Sequence, residues 1–433
     1  MTRAHRWTAG VLGALALLLL AGAAAVAWWL PSEAELATRL QTEFQQRSGI
    51  GLKVGRVHWA LRPVPVVVVE DIATVQDRPI TVRRVALTPQ LGALLWQRRI
   101  AIDTLEVEGV VLPRASVRAF RGRNADPKAP ASGDWSLSPV PVQEVRFTDV
   151  TWIDRRDIAL AYDGRIDFDA GWRPRRAEVA RRGVAPPARL VLAREGDADR
   201  WRTDIEVGGG AWRGVSVLET SEAGALRFSA QLAATNVDVA QLTAAFQRRS
   251  AVEGRLSGQS ELRSEGADPG ELARRLHSRT RFSVQPARLL RFDLAKAVTT
   301  AGISRDGQTP LDELTGTLDT QATDDGVVLR YSNLKARSGL LTASGSATVM
   351  NRKLDGEVAV DLVDGVVGVP LKVGGTLDAP ELSLTGGALT GAAIGSAVLP
   401  GVGTAIGARI GQKMEKLFGG DRKPPRTRGP RSP

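Results

Sequence analysis

Cysteine is absent from the 433 residues. That excludes a disulfide framework, a thiol nucleophile and any zinc site built on thiolates. Histidine is nearly absent as well. His5, His58 and His277 stand far apart, which argues against a histidine metal cluster. His58, beside Trp59 at the end of a strand-like run, is read as structural or interfacial, because no ligand partners accompany it. The common catalytic spacings are missing: there is no G-x-S-x-G, no H-E-x-x-H and no P-loop. Gly401-Val402-Gly403 begins like a dinucleotide loop, but the next glycine falls at Gly407 and no βαβ pattern precedes it. Asp324-Asp325 reads as a turn, not an acid pair. The chain is therefore expected to be no enzyme, with no catalytic residue, no cofactor and no metal.

A broad basic surface is lacking too. The net charge of +11 sits mostly at the two ends. Arg3 and Arg6 account for two positive charges, and seven bases against Glu415 and Asp421 follow Gly411. The long span between is nearly balanced. Nucleic acid is not expected as a partner; charge at chain ends points to membranes. With 43% apolar and 24% charged residues, the chain can build a sizeable core over two or three domains.

Residues 8–30 carry no charge. At about 1.5 Å per residue a helix of this length crosses a hydrocarbon core of about 30 Å. Arg3, His5 and Arg6 precede it, which leaves the N-terminus (1–7) in the cytoplasm, and Trp28 and Trp29 fall where an aromatic belt would lie. The competing reading is a cleaved signal peptide, for which Ala25-Val26-Ala27 supplies a site. Cleavage there would leave two tryptophans at the new terminus, so an uncleaved single-pass anchor is expected. Either way the rest of the chain is exported.

Residues 31–115 read as a first module. A short helix opens near Ser32 and Glu35, which have capping-box spacing. Leu36, Leu40 and Phe44 line one face of it, and Ser48-Gly49 ends it. Strand-like runs follow at 52–59, 65–69 and 80–87, then a short helix at 89–98 and a strand over 100–112. Residues 116–140 read as a linker or mobile loop. From 141 to 385 the pattern alternates with period two. Trp201, Thr203, Ile205 and Val207 alternate with charged residues. So do Leu226, Phe228, Ala230 and Leu232 with polar ones; Leu341, Ala343, Gly345, Ala347 and Val349; and Val358, Val360 and Leu362. Each is a strand with one apolar and one wet face, as antiparallel sheets have. Asp163-Gly164 and Asp325-Gly326 are expected turns, and short helices are expected at 239–248 and 269–277.

The end of the chain differs. Residues 385–408 are uncharged and glycine-rich, with Gly387, Gly391, Gly395 and then Gly403, Gly407, Gly411 at intervals of four. That small-xxx-small spacing lets helices approach closely, and Pro400-Gly401 would divide the glycine-zipper segment (386–418) into a helical hairpin. Whether it spans or only touches a membrane stays open. Residues 419–433 read as a basic, disordered tail.

In order, several stretches resemble the AsmA family. They are Val54-Gly55-Arg56-Val57-His58-Trp59, Pro63-Val64-Pro65 with the valine strand 66–69 and Glu70-Asp71, and Asn236-Val237-Asp238-Val239-Ala240-Gln241-Leu242. Arg291-Phe292-Asp293-Leu294, Gly316-Thr317-Leu318 and the run from Val369-Pro370-Leu371-Lys372 through Gly374-Gly375-Thr376 to Pro380 complete the set. The resemblance covers both ends of the exported chain and is weakest over 115–230. It implies an inner-membrane protein facing the periplasm. It also implies a mainly β fold with short helices: an elongated, curled antiparallel β-groove, taco-like, with a chorein-like N-terminal end. About twenty strands at about 4.8 Å would give a groove near 95 Å, too short for one copy to bridge an envelope. The expected partners are phospholipid and the inner membrane, with an outer-membrane or periplasmic protein as a further partner. The expected function is lipid handling in outer-membrane biogenesis or integrity. The rival is a structural or regulatory envelope protein that binds an assembly partner. Alternation alone favours sandwich domains whose apolar faces pack together; the membrane anchor, the missing catalytic set and the resemblance reverse that preference. The residues that would face lipid are Trp201, Ile205, Val207, Leu226, Phe228, Leu232, Leu341, Val358 and Val360.

Overall fold

The computed structural model describes residues 33–384 except 63, 91, 94–98, 121–135, 170–172, 222–223, 300–305, 324, 363–368 and 378. The expected membrane anchor at 8–30, the glycine-zipper segment, the basic tail and most of the helix at 89–98 lie outside the described residues. Among the described residues no helix is long and apolar enough to cross a membrane. The fold is mainly β, with five short helices named here, and its antiparallel sheet is not closed into a barrel. The chain divides into two compact units, residues 1–250 with 257–278, and residues 251–256 with 279–433. The division does not fall at the expected 116–140 boundary.

The first unit opens with α1 (Glu33–Ser48), whose Leu36, Leu40 and Phe44 are all buried. They recur at i, i+4 and i+8, so one stripe of the helix is apolar and the opposite side carries the Glu35–Arg39 pair. That stripe packs on β1 (Leu52–Arg62), β2 (Val64–Thr74), β3 (Thr81–Pro89), β4 (Arg99–Pro113) and β5 (Ser136–Ile153), forming one core. Then come β6 (Ala159–Asp169), β7 (Arg173–Arg181), β8 (Arg189–Arg194), β9 (Arg200–Val207), β10 (Gly210–Thr220) and β11 (Leu226–Asp238). Each strand pairs with the next, and every pair but one is antiparallel. The exception is β4 with β5, which is parallel. Parallel neighbours need a crossover of a dozen or more residues. The connection between them begins with α2 (Arg114–Arg118), and its residues 121–135 lie outside the described residues. Of the expected linker at 116–140, residues 116–118 are helical, 136–140 belong to β5, and 121–135 lie outside the described residues.

Asp163-Gly164 is not a turn; both lie inside β6. The pair supports a bulge in the neighbouring strand. The register of β5 slips between Phe147 and Val150. Asp149 there adopts φ +57°, and its N–H donates to Asp163 Oδ1 at 2.8 Å. Gly164 lies opposite Phe147, whose ring edge passes 2.3 Å from where a Cβ on residue 164 would stand. Glycine is required there for close approach, which is the other common meaning of glycine in a strand.

After β11 come α3 (Val239–Ala245), β12 (Val252–Gly266), α4 (Pro269–Arg274) and β13 (His277–Leu289). Both helices begin as read, Asp238 accepting from Gln241 N and Asp268 from Glu271 N, but each ends three residues early. The boundary between units runs through β12 and β13. In the second unit α5 (Leu294–Thr299) was not foreseen. Asp293 accepts from Lys296 N and starts the helix, and Leu294 and Ala297 are buried. There follow β14 (Thr309–Leu311), β15 (Glu313–Thr323), β16 (Gly326–Arg337), β17 (Leu341–Met350), β18 (Lys353–Leu362), β19 (Val369–Gly375) and β20 (Pro380–Leu384). From β15 onward each pairs antiparallel with the next. Asp325-Gly326 makes the tight connection between β15 and β16, with Thr323 opposite Gly326. His58 lies within β1 opposite Val68, not at a strand end.

Candidate functional site

Strand register places the nine candidate residues on one face within each unit. In the first unit Ile205 of β9 stands opposite Leu190 of β8 and Trp212 of β10, and Trp212 opposite Ala234 of β11. In the other direction Leu190 opposes Val179, Val179 opposes Gly164, and Gly164 opposes Phe147. The row continues through Val107, Val85, Val69 and Val57. It crosses all eleven strands, β1 to β11, without a polar side chain. The next row begins at Trp59 and runs through Val67, Leu87, Leu105, Val145, Ile166, Ala177, Leu192, Thr203 and Gly214 to Leu232. Its single polar member, Thr203, is satisfied by the Ser216 hydroxyl at 2.7 Å. Leu226 and Phe228 share this face, Phe228 opposite Leu218. In the second unit Leu341, Val358 and Val360 share a face with the row Leu318, Tyr331, Ala347, Gly356, Val373 and Leu382.

The opposite face of the first unit is charged. Arg146 reaches Glu144 at 2.6 Å and Glu106 at 3.8 Å, Arg165 reaches Glu144 at 2.7 Å and Asp167 at 3.1 Å, and Arg189 lies between Glu178 and Glu206. Exposed pairs of this kind each add little stability. Their consequence is orientation: the wet face cannot be turned inward without stranding charge.

The nine candidates do not share one environment. Trp201, Val207, Leu232, Leu341 and Val360 are buried, the last at 0% exposure, while Ile205, Leu226, Phe228 and Val358 are half-buried. Trp201 lies across β8, its Nε1 donating to Pro174 O at 2.6 Å. Sequence reading missed Val179, Leu190, Leu192 and Trp212, which belong to the same rows. Their strands are short or arginine-rich, as in β7, and glycine and serine break the alternation of β10. The detectable signal was the i, i+2 spacing of Leu190 with Leu192 and of Ala177 with Val179.

The helix α3 crosses the strand ends of this face. Leu242, Ala245 and Phe246 pack on Ala188, Ile205, Val207 and Trp212. Its far end is held by three polar contacts. Arg181 donates through Nε to Ala245 O at 3.1 Å, Gln247 Nε2 donates to Ala159 O at 3.1 Å, and Arg248 pairs with Asp154. Desolvation pushes the Asp154 carboxyl up. N–H donation from Ile158 and Arg156 and the Arg248 guanidinium outweigh it and hold the group below its ordinary value.

The chain has two tyrosines, Tyr162 and Tyr331. Burial pushes both phenols above the ordinary 10.0; for Tyr162 the Arg181 guanidinium, 5.0 Å from the ring centre, works in the opposite direction. A phenol is neutral while protonated, so the folded state holds these protons more tightly than the unfolded chain. Their contribution is complete below about pH 10 and is lost as pH rises through the folded values. The urea midpoint should therefore fall between about pH 9 and about pH 11 as phenolate absorbance grows. A midpoint that stays level while both phenols ionise would contradict the burial of these rings.

No protein-family model, no curated protein and no solved structure matches this chain.

Proposed function

We propose that the chain is a non-catalytic lipid-handling protein of the AsmA kind. It would be anchored in the inner membrane by residues 8–30, with its bulk in the periplasm. In this reading the sheet curls into a taco-like groove with a chorein-like N-terminal end, and its apolar face takes phospholipid acyl chains. The role is in building or maintaining the outer membrane. One observation carries the reading: an apolar cross-strand row that runs unbroken over eleven strands, backed by a charged face. Over β1 to β5 the row is covered by α1, with Val57, Val69, Val85 and Val107 buried in that core; the part over β6 to β11 is what would lie against hydrocarbon, where burying apolar area is favourable by about 25 cal/mol per Å².

The rival is a structural or regulatory envelope protein that docks an assembly partner. Burial of Trp201, Val207, Leu232, Leu341 and Val360 favours it, because the chain already covers these side chains itself. The two readings separate experimentally. Protein purified in mild detergent should carry phospholipid detectable by mass spectrometry. Phe228→Glu, at a half-buried position on the open part of the face, should lower bound lipid about tenfold, equivalent to about 1.4 kcal/mol, with melting unchanged. Ile205→Lys should act in the same direction. Lipid-free protein from every mild preparation, or collapse of the fold in Phe228→Glu, would favour the rival.

A further inference from the structure

We propose that residues 239–248 form a lid over the strand-end margin of the apolar face in the first unit, hinged at 236–238 and latched by Arg248 on Asp154. What the lid admits rests on the lipid reading above; that it opens does not.

The hinge side is held by backbone. Asp238 N–H donates to Gly208 O at 2.9 Å, and a Cβ on Gly208 would stand 2.6 Å from Asp238 O. Asn236, with φ +54°, bends the last residues of β11 just before. The latch side is different in kind. It consists of side-chain contacts to the loop between β5 and β6, to the start of β6 and to the end of β7: Arg248 to Asp154, Gln247 to Ala159 O, and Arg181 to Ala245 O. The latch is also imperfect. The Arg248 side chain is 32% exposed, so water competes for its pairing with Asp154.

The cover itself is thin. Within α3 only Ala245 is buried, while Leu242 and Phe246 are half-buried. A seven-residue helix has no stability of its own and depends on what it lies against. Beneath it are Ile205, Val207, Trp212 and Ala188. An acyl chain laid along these side chains would replace the apolar contacts that the lid gives up, so opening and occupancy are coupled. Segments that give access to a site come from the low-stability part of a structure, and 239–248 has that character on the latch side alone.

Hydrogen exchange on the full-length protein tests the opening. In Arg248→Ala, amides of 239–248 should exchange about tenfold faster, while those of β9 and β10 stay within about twofold. Unchanged exchange in the segment, or acceleration spread evenly over β6 to β11, would overturn the lid; the second result would make it a structural clamp. The cysteine-free chain allows a second measurement. Asp154→Cys with Arg248→Cys, joined by a short bis-maleimide, locks the latch. Transfer of a fluorescent-acyl phosphatidylglycerol from vesicles should then be about fivefold slower than in the same variant left unjoined. Equal rates in locked and unlocked protein would refute gating. Faster exchange in Arg248→Ala with no transfer by any form, wild type included, would uphold the lid and sink the lipid reading.

Discussion

Val360→Asp should abolish the fold of the second unit at neutral pH. Val360 is fully sealed, at 0% exposure, on the apolar face of β18 opposite Ala343, and α5 packs against the same strand. No described basic residue is on this face of β17 or β18; Ala343 stands across on β17, and Val358 is two residues along β18 with Gly345 opposite it. A carboxylate there would have neither water nor a partner. The expected loss is about 4 kcal/mol or more, a large part of the stability of an ordinary domain. The group would escape part of the cost by staying protonated, so its folded pKa would rise above its unfolded value near 3.9. The sign follows: the variant loses stability as pH rises above about 4 and recovers as pH falls. Val360→Asn, polar but not titratable, should be weakened without that pH dependence. Guanidinium midpoints for both variants between about pH 4 and about pH 7 provide the check. A Val360→Asp protein with a wild-type midpoint at neutral pH would show that the position is open to water.

The second large effect is expected at Gly164. Its missing Cβ leaves room for the Phe147 ring, and a methyl group there would meet Phe147 Cζ at 2.3 Å and Glu178 O at 2.5 Å. The first neighbour is a ring packed against the first unit's core. The second is backbone, held in the β6–β7 ladder. Neither can withdraw cheaply, so Gly164→Ala should cost about 3 kcal/mol, the upper part of the range for overpacking. In a Phe147→Leu background the ring contact is gone and the carbonyl contact remains, so the penalty should fall by about half and not vanish. A double-mutant cycle reads this coupling from four denaturant midpoints. Full additivity would mean that ring and glycine do not meet.

The Gly164 case also shows where reading a sequence stops. An Asp-Gly pair between alternating segments signals a hairpin turn. The same two residue types also serve a bulge, the carboxylate taking a stray N–H and the glycine making room for a ring. Nothing within a few residues separates the two cases. What decides is Asp149 and Phe147, on another strand. Asp325-Gly326, read by the same rule, does form a turn, because Thr323 and Gly326 face each other across it. The parallel pairing of β4 with β5 was equally invisible. Both strands alternate like their antiparallel neighbours, and a period of two is the same whichever way the next strand runs.

The sequence by itself determined the properties that are local. The period-two pattern assigned an apolar and a wet face to the strands at 201–207, 226–232, 341–349 and 358–362, since successive side chains point to opposite sides. Leu36, Leu40 and Phe44 marked the stripe by which α1 joins the core. The missing cysteine, the scattered histidines and the absent catalytic spacings defined the expectation of a chain without chemistry of its own. Only the tertiary structure decided which apolar residues stand side by side. Val57 and Ala234 belong to one row because ten successive strand pairings hold register, and a slip of one residue in any of them would have turned the following faces over. It likewise decided that Trp201, Val207 and Val360 are covered while Phe228 and Val358 stay half-open, and that 239–248 lies over the end of the face. Pairing and burial depend on groups distant in the chain, and the period of a strand carries no information about its neighbour.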